Sequence, residues 1–231
     1  MLCIKNCHCS IVTSMSLSPT DASRLCREVC ALAPIIPVLV VDDVATAAPL
    51  AEALIAGGLP ALEVTLRTPA ALEVIRIMAG VPGGRVGAGT LVTPADVLAA
   101  KQAGATFGVS PGATDALLAA CEDADLPLLA GAASATEAMR LLERGYDMLK
   151  FFPAEASGGV PALKAIGAPL PQISFCPTGG VSASNAAAYL GLANVPCAGG
   201  SWVAPKDLIA KHDWDGIEAL AREAAKLGIQ S

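Results

Sequence analysis

Short apolar runs and amphipathic stretches alternate along this chain from Ile35 almost to its end. Eight runs rich in Val, Ile, Leu and Ala, at 35–41, 61–66, 85–88, 107–109, 127–129, 148–152, 172–176 and 195–198, have the length and composition of buried strands. Between them, Ala and Leu recur at helical spacing over 44–56, 69–78, 94–103, 114–123, 135–144, 160–166 and 183–190, which places one face of each helix inward. Glycines such as Gly80, Gly104, Gly145 and Gly191 fall where these helices should stop. Thr93-Pro94 marks a start, with Thr93 as N-cap and Pro94 in the first turn. A further helix at 20–31 precedes the first strand, and another at 217–227 follows the last.

Strands and helices in strict alternation make an all-parallel sheet, either open and doubly wound or closed on itself. A count of eight favours closure. The chain is therefore read as one α/β domain over 15–231, a single (β/α)8 TIM barrel with an extra N-terminal helix, preceded by a disordered tail at 1–14. A length of 231 residues suits a barrel of this kind. Hydrophobic residues make up 54% of the chain and aromatics only 3%, so the core must be built from Ala, Val, Leu and Ile.

Composition also narrows the partners. The most apolar stretch, 31–41, is far short of the roughly 18–20 residues that span a bilayer, and it carries Pro34 and Pro37. The formal charge of −6 argues against nucleic acid or an anionic membrane surface. The first residues lack the apolar core of a signal peptide, which predicts a cytoplasmic protein. Of eight cysteines, Cys121, Cys176 and Cys197 read as buried thiols in a chain large enough to fold without disulfides. Cys3, Cys7, His8 and Cys9 could ligate zinc or copper, but their spacing matches no standard finger and a frayed tail is the stronger reading. No metal and no organic cofactor is expected.

In folds of this class chemistry sits at the C-terminal ends of the strands. There the run Tyr146-Asp147-Met148-Leu149-Lys150-Phe151-Phe152-Pro153 places one lysine inside an apolar strand. An ammonium buried without a partner is costly and tends to shed its proton, leaving an amine that attacks carbonyl carbon. A lysine that snorkels to water from a strand end is the bland alternative. In Ala61-Leu62-Glu63-Val64-Thr65-Leu66-Arg67, alternation puts Glu63, Thr65 and Arg67 on one face. Three polar groups facing inward suggest a site, although an internal Glu63–Arg67 ion pair would explain two of them. Glutamate moves protons and arginine grips carboxylates, so with Lys150 they form a minimal kit for carbanion chemistry on a 2-oxo acid. Gly179-Gly180 and Gly199-Gly200 follow the last two strands, where barrels cradle phosphate with backbone N–H groups.

Six segments carry a resemblance: Glu63-Val64-Thr65-Leu66-Arg67-Thr68, Val86-Gly87-Ala88-Gly89-Thr90, Ser110-Pro111-Gly112, Lys150-Phe151-Phe152-Pro153-Ala154-Glu155, Cys176-Pro177-Thr178-Gly179-Gly180 and Gly199-Gly200-Ser201-Trp202. In this order they resemble the signature segments of the 2-keto-3-deoxy-6-phosphogluconate (KDPG) and 4-hydroxy-2-oxoglutarate aldolases. The resemblance implies a homotrimeric class I aldolase of the Entner–Doudoroff pathway, splitting KDPG into pyruvate and glyceraldehyde 3-phosphate, with activity on 4-hydroxy-2-oxoglutarate in many members. It puts the Schiff-base lysine at Lys150 and the proton-transferring glutamate at Glu63. Arg67, Thr90 and Thr178 fall on pyruvate contacts, and Gly179, Gly180 and Ser201 on the phosphate site. Galactonate-specific relatives carry a Pro-Leu-Asn type of segment in place of Thr65-Leu66-Arg67, which favours the gluconate epimer here. The residue types also allow a phosphate-binding isomerase or decarboxylase in which Lys150 acts only through its charge, and a metal-sensing barrel built on the N-terminal cysteines.

Overall fold

A computed structural model describes residues 16–227. The cysteine cluster at Cys3, Cys7, His8 and Cys9 lies outside the described residues, as does the boundary expected at residue 14. The first helix, α1 (Pro19–Cys30), is capped by Ser18, whose hydroxyl accepts from the Asp21 N–H at 3.1 Å. Eight strands follow: β1 (Ile35–Leu39), β2 (Ala61–Thr65), β3 (Arg85–Gly89), β4 (Phe107–Val109), β5 (Leu128–Ala132), β6 (Met148–Phe151), β7 (Ser174–Pro177) and β8 (Ala198–Gly200). The helices between and after them are α2 (Ala47–Ala56), α3 (Ala71–Ala79), α4 (Pro94–Gln102), α5 (Asp115–Asp123), α6 (Ala135–Arg144), α7 (Gly159–Gly167), α8 (Ala186–Leu190), α9 (Lys206–Ala210) and α10 (Trp214–Ala225).

The strands pair in the order β7-β6-β5-β4-β3-β2-β1-β8, every pair parallel, and one bridge between Thr178 and Gly199 closes the ring. This is the expected (β/α)8 barrel. Two strands differ most from their predicted spans. The last runs over Ala198–Gly200, not 195–198, because β1 holds it in register through Ile35–Ala198, Ile36–Gly199 and Pro37–Gly200. Strand β5 extends through Gly131 to Ala132, paired with Lys150 and Phe151 of β6. In both, neighbouring strands override the turn propensity of Gly. Helix α9, five residues long, was not predicted.

Apolar packing occurs in two shells. Outside the barrel, Leu62, Val64, Leu149 and Phe151 pack with the helical side chains of Leu50, Leu54, Val74 and Ile75. Inside it, Ala61, Phe107, Val109, Leu129, Met148, Cys176 and Cys197 meet Cys26, Val29 and Cys30 of α1, which therefore plugs the N-terminal mouth. Arg27 moors the plug, donating to the Asp147 carbonyl at 2.8 Å and to Ser174 Oγ at 2.7 Å. The Asp147 N–H donates to Ser23 Oγ at 2.8 Å. Cys26, Cys30, Cys121, Cys176 and Cys197 are all free and buried, as expected for Cys121, Cys176 and Cys197. Burial pushes Cys121 up to about 12, far from a reactive thiolate at neutral pH. Among the described residues, no helix is long and apolar enough to cross a membrane. Nor does any group of three or more His, Cys, Asp or Glu among them have the arrangement to hold a metal ion.

Candidate active site

At the C-terminal end the barrel interior turns polar. Lys150 points inward from β6, two residues beyond Met148, and is only 5% exposed; Glu63 on β2 is 3% exposed. Lys150 Nζ donates to Glu63 Oε1 at 3.3 Å and sits 5.1 Å from the centre of the Phe152 ring. The sequence reading of a lysine without a partner is thereby corrected: Lys150 has one, contributed from across the barrel. The pair is almost wholly buried, and of the two it is Lys150 that reaches a cavity. The Glu63–Arg67 ion pair is absent among the described residues. Arg67 instead donates through Nε to Thr90 Oγ1 at 3.3 Å.

Thr65, the third polar residue of β2, gives its hydroxyl to the Leu39 carbonyl at 2.8 Å and so ties β2 to β1. Gly89 makes room for the glutamate: a Cβ there would overlap Glu63 Oε1, Cγ and Cδ, so a glycine is required by close approach. Thr90 follows with φ +64, a conformation that β-branched residues rarely adopt. Gly89 and Phe152 stood inside the quoted segments of the sequence without a role of their own. The signal available for Gly89 was a glycine inside a strand opposite a polar one.

Lys150, Arg67, Thr178, Gly179, Gly180 and Ser201 line one cavity of about 300 Å³. Six of the eight predicted site residues thus share a pocket, while Glu63 lies behind Lys150 and Thr90 behind Arg67. Thr178 is 6% exposed, and a Cβ on Gly199 would collide with its hydroxyl, so the glycine of β8 admits the threonine of β7. Gly179 and Gly180 both have positive φ, +99 and +80, forming a turn closed to residues with a Cβ. A larger cavity, about 820 Å³, lies between α5 and α6 beside Asp115, Glu137 and Arg144, and Lys150 does not line it. It holds none of the predicted residues, and its size alone carries no chemistry.

With this geometry in view, comparison with known proteins is decisive. A family model described as the KDPG and KHG aldolases matches residues 26–220. The chain belongs to this family. It is an aldolase. A 2-dehydro-3-deoxy-phosphogluconate aldolase of Pseudoalteromonas atlantica is 52% identical over 199 residues, 86% of this chain and 93% of that protein. A crystal structure of the 2-keto-3-deoxy-6-phosphogluconate aldolase of Zymomonas mobilis ZM4 with 3-phosphoglycerate superposes with a TM-score of 0.86. It is 47% identical, covering 90% of this chain and all (100%) of the other. A third relative is a KDPG aldolase of Legionella pneumophila with pyruvate captured at low pH as a covalent carbinolamine intermediate. It has a TM-score of 0.83 and 44% identity, covering 90% of this chain and 98% of that one.

Proposed function

We propose that this aldolase cleaves 2-keto-3-deoxy-6-phosphogluconate through a Schiff base on Lys150, giving pyruvate and glyceraldehyde 3-phosphate, and that it also acts on 4-hydroxy-2-oxoglutarate. The observation that carries the reading is the buried Lys150–Glu63 pair on the floor of a pocket edged by Arg67 and a positive-φ glycine turn. The Legionella relative, with pyruvate bound covalently as a carbinolamine, supports it.

The residues divide the work as follows. Arg67, oriented by Thr90, grips the substrate carboxylate with Thr178 beside it, which holds C2 in front of the amine. Lys150 passes its proton to Glu63 and attacks C2, giving a carbinolamine; Glu63 returns that proton to the C2 hydroxyl, which leaves as water to give an iminium and a glutamate free to act again as a base. The iminium draws electrons from the C3–C4 bond as Glu63, directly or through a water molecule, takes the proton of the C4 hydroxyl. The aldehyde departs, and the enamine left on Lys150 is protonated at C3 and hydrolysed to pyruvate. Backbone donors of Gly179 and Gly180 with the Ser201 hydroxyl receive the phosphate. The same pocket takes 4-hydroxy-2-oxoglutarate with that subsite unfilled. The assembly we infer is a homotrimer, as the six-segment resemblance implies.

The test is mass spectrometry of protein treated with pyruvate and borohydride. A reduced pyruvate adduct on Lys150 is the expected outcome. An enzyme that turns over the sugar acid with no adduct at Lys150 would instead be one that uses the lysine only for its charge.

A further inference from the structure

We propose that Tyr189 and Glu155 brace the Gly179–Gly180 turn, which makes Tyr189 a positioning residue for phosphorylated substrates. This rests on the reading of that turn as the phosphate subsite. The loop after β6 is fitted to the loop after β7 along its length. The Ala154 N–H donates to the Thr178 carbonyl at 2.8 Å, and the Glu155 N–H to the Gly179 carbonyl at 3.0 Å. The pairing between β6 and β7 thereby continues past the ends of both strands into the pocket rim.

The Glu155 side chain then lies against Gly180, its Cγ 2.6 Å from where a Cβ on that glycine would sit. Its carboxylate is held by the hydroxyl of Tyr189, a fully buried residue on α8. Burial first, and then the hydrogen bond to Glu155, keep that phenol protonated, so Tyr189 is the donor. From the other side Asn185 Nδ2 donates to the Gly180 carbonyl at 3.1 Å, while Asn185 Oδ1 accepts from the Ser182 N–H at 2.8 Å. The turn is thus gripped on one flank by Glu155 and on the other by Asn185.

Charge alone would keep a carboxylate away from a turn that receives phosphate. Held by Tyr189, the glutamate presents its methylene stem to Gly180 and its charge to the phenol. Without the phenol, Glu155 is exposed enough to swing free and the flank it supports is lost. Pyruvate binding at Lys150 does not involve this flank, so the effect should be selective.

The experiment compares steady-state kinetics on the phosphorylated sugar acid and on 4-hydroxy-2-oxoglutarate, with thermal melts of every variant. Tyr189→Phe keeps the ring and removes the donor. It should raise KM for the phosphorylated substrate by about tenfold with kcat nearly unchanged, and leave the unphosphorylated substrate unaffected. Glu155→Ala should follow it, whereas Glu155→Gln retains an acceptor and should stay within about twofold of the parent. Equal losses on both substrates, or a lowered melting temperature with no selective change in KM, overturn the brace and leave a purely structural contact. Gly179→Val separates this from the underlying reading. If it weakens only the phosphorylated substrate while Tyr189→Phe changes nothing, the subsite stands and the brace falls. If Gly179→Val affects both substrates equally, the subsite and the brace fall together.

Discussion

The two ends of the barrel interior are lined by the same eight strands, yet they are built for opposite purposes. At the N-terminal end, Met148, Phe107, Cys176 and Cys197 close on α1 in a packed apolar layer. One step further along β6, Lys150 replaces apolar contact with a buried ion pair to Glu63. A buried pair of this kind is weak support for stability, since desolvation offsets much of the attraction. A packed apolar layer is strong support, because every lost methylene leaves a cavity. The fold is held at one end so that costly groups can be kept at the other.

Five substitutions would break or sharpen that contrast. Lys150→Arg should have the largest effect, taking cleavage to background and abolishing the pyruvate adduct, because guanidinium stays protonated. Circular dichroism should still report a folded barrel, and substantial residual turnover would return Lys150 to an electrostatic role. Glu63→Gln comes next, lowering kcat by about 10²–10⁴-fold with KM little changed. If Glu63 served only the fold, the melting temperature would fall while kcat of the folded fraction held. Met148→Ala, two residues from the lysine but in the apolar layer, should do the reverse. It should cost about 2–5 kcal/mol in urea unfolding and leave the chemistry of the folded enzyme close to the parent.

The smallest effect belongs to the loop that carries β5 into α6 at the functional end. There Ser134 and Glu137 form a capping box, with the Ser134 hydroxyl accepting from the Glu137 N–H at 3.3 Å. Ser134→Ala should cost about 1 kcal/mol. A hydrogen bond from the Ala133 N–H is the main cause that lowers the Glu137 carboxyl below its ordinary value, aided by bonds from Ser134. Its contribution is therefore full above the ordinary carboxylate range and is lost as pH falls through the lower folded value. Urea midpoints measured across that acid window should slope less for Glu137→Gln than for the parent. Identical slopes would show that the cap does not feel the charge.

How legible this was in the sequence depends on the range of the physics involved. Alternation along β2 placed Glu63 inward, and an apolar run placed Lys150 in a strand, because both patterns are local. Their meeting joins positions 87 residues apart, and no local pattern reports that. The reading therefore left Lys150 without a partner and kept a Glu63–Arg67 pair open. The resemblance of the six segments grouped Lys150, Glu63 and Arg67 by analogy, without their geometry. Gly89 carried no role of its own in the sequence, although it leaves volume for a side chain on the neighbouring strand. The ends of β8 were misplaced for a related reason: Gly199 and Gly200 have poor strand propensity and are held extended by β1.

Thr90 offers a last lesson, one for protein engineering. Its left-handed backbone stores about 1–3 kcal/mol of strain that glycine would relieve. A campaign selecting only for heat resistance would therefore be drawn to Thr90→Gly. The gain would come with the loss of the hydroxyl that aims Arg67. A library scored on survival alone would discard the aim of the catalyst while improving its shell, so screens of this scaffold should score turnover alongside survival at that position.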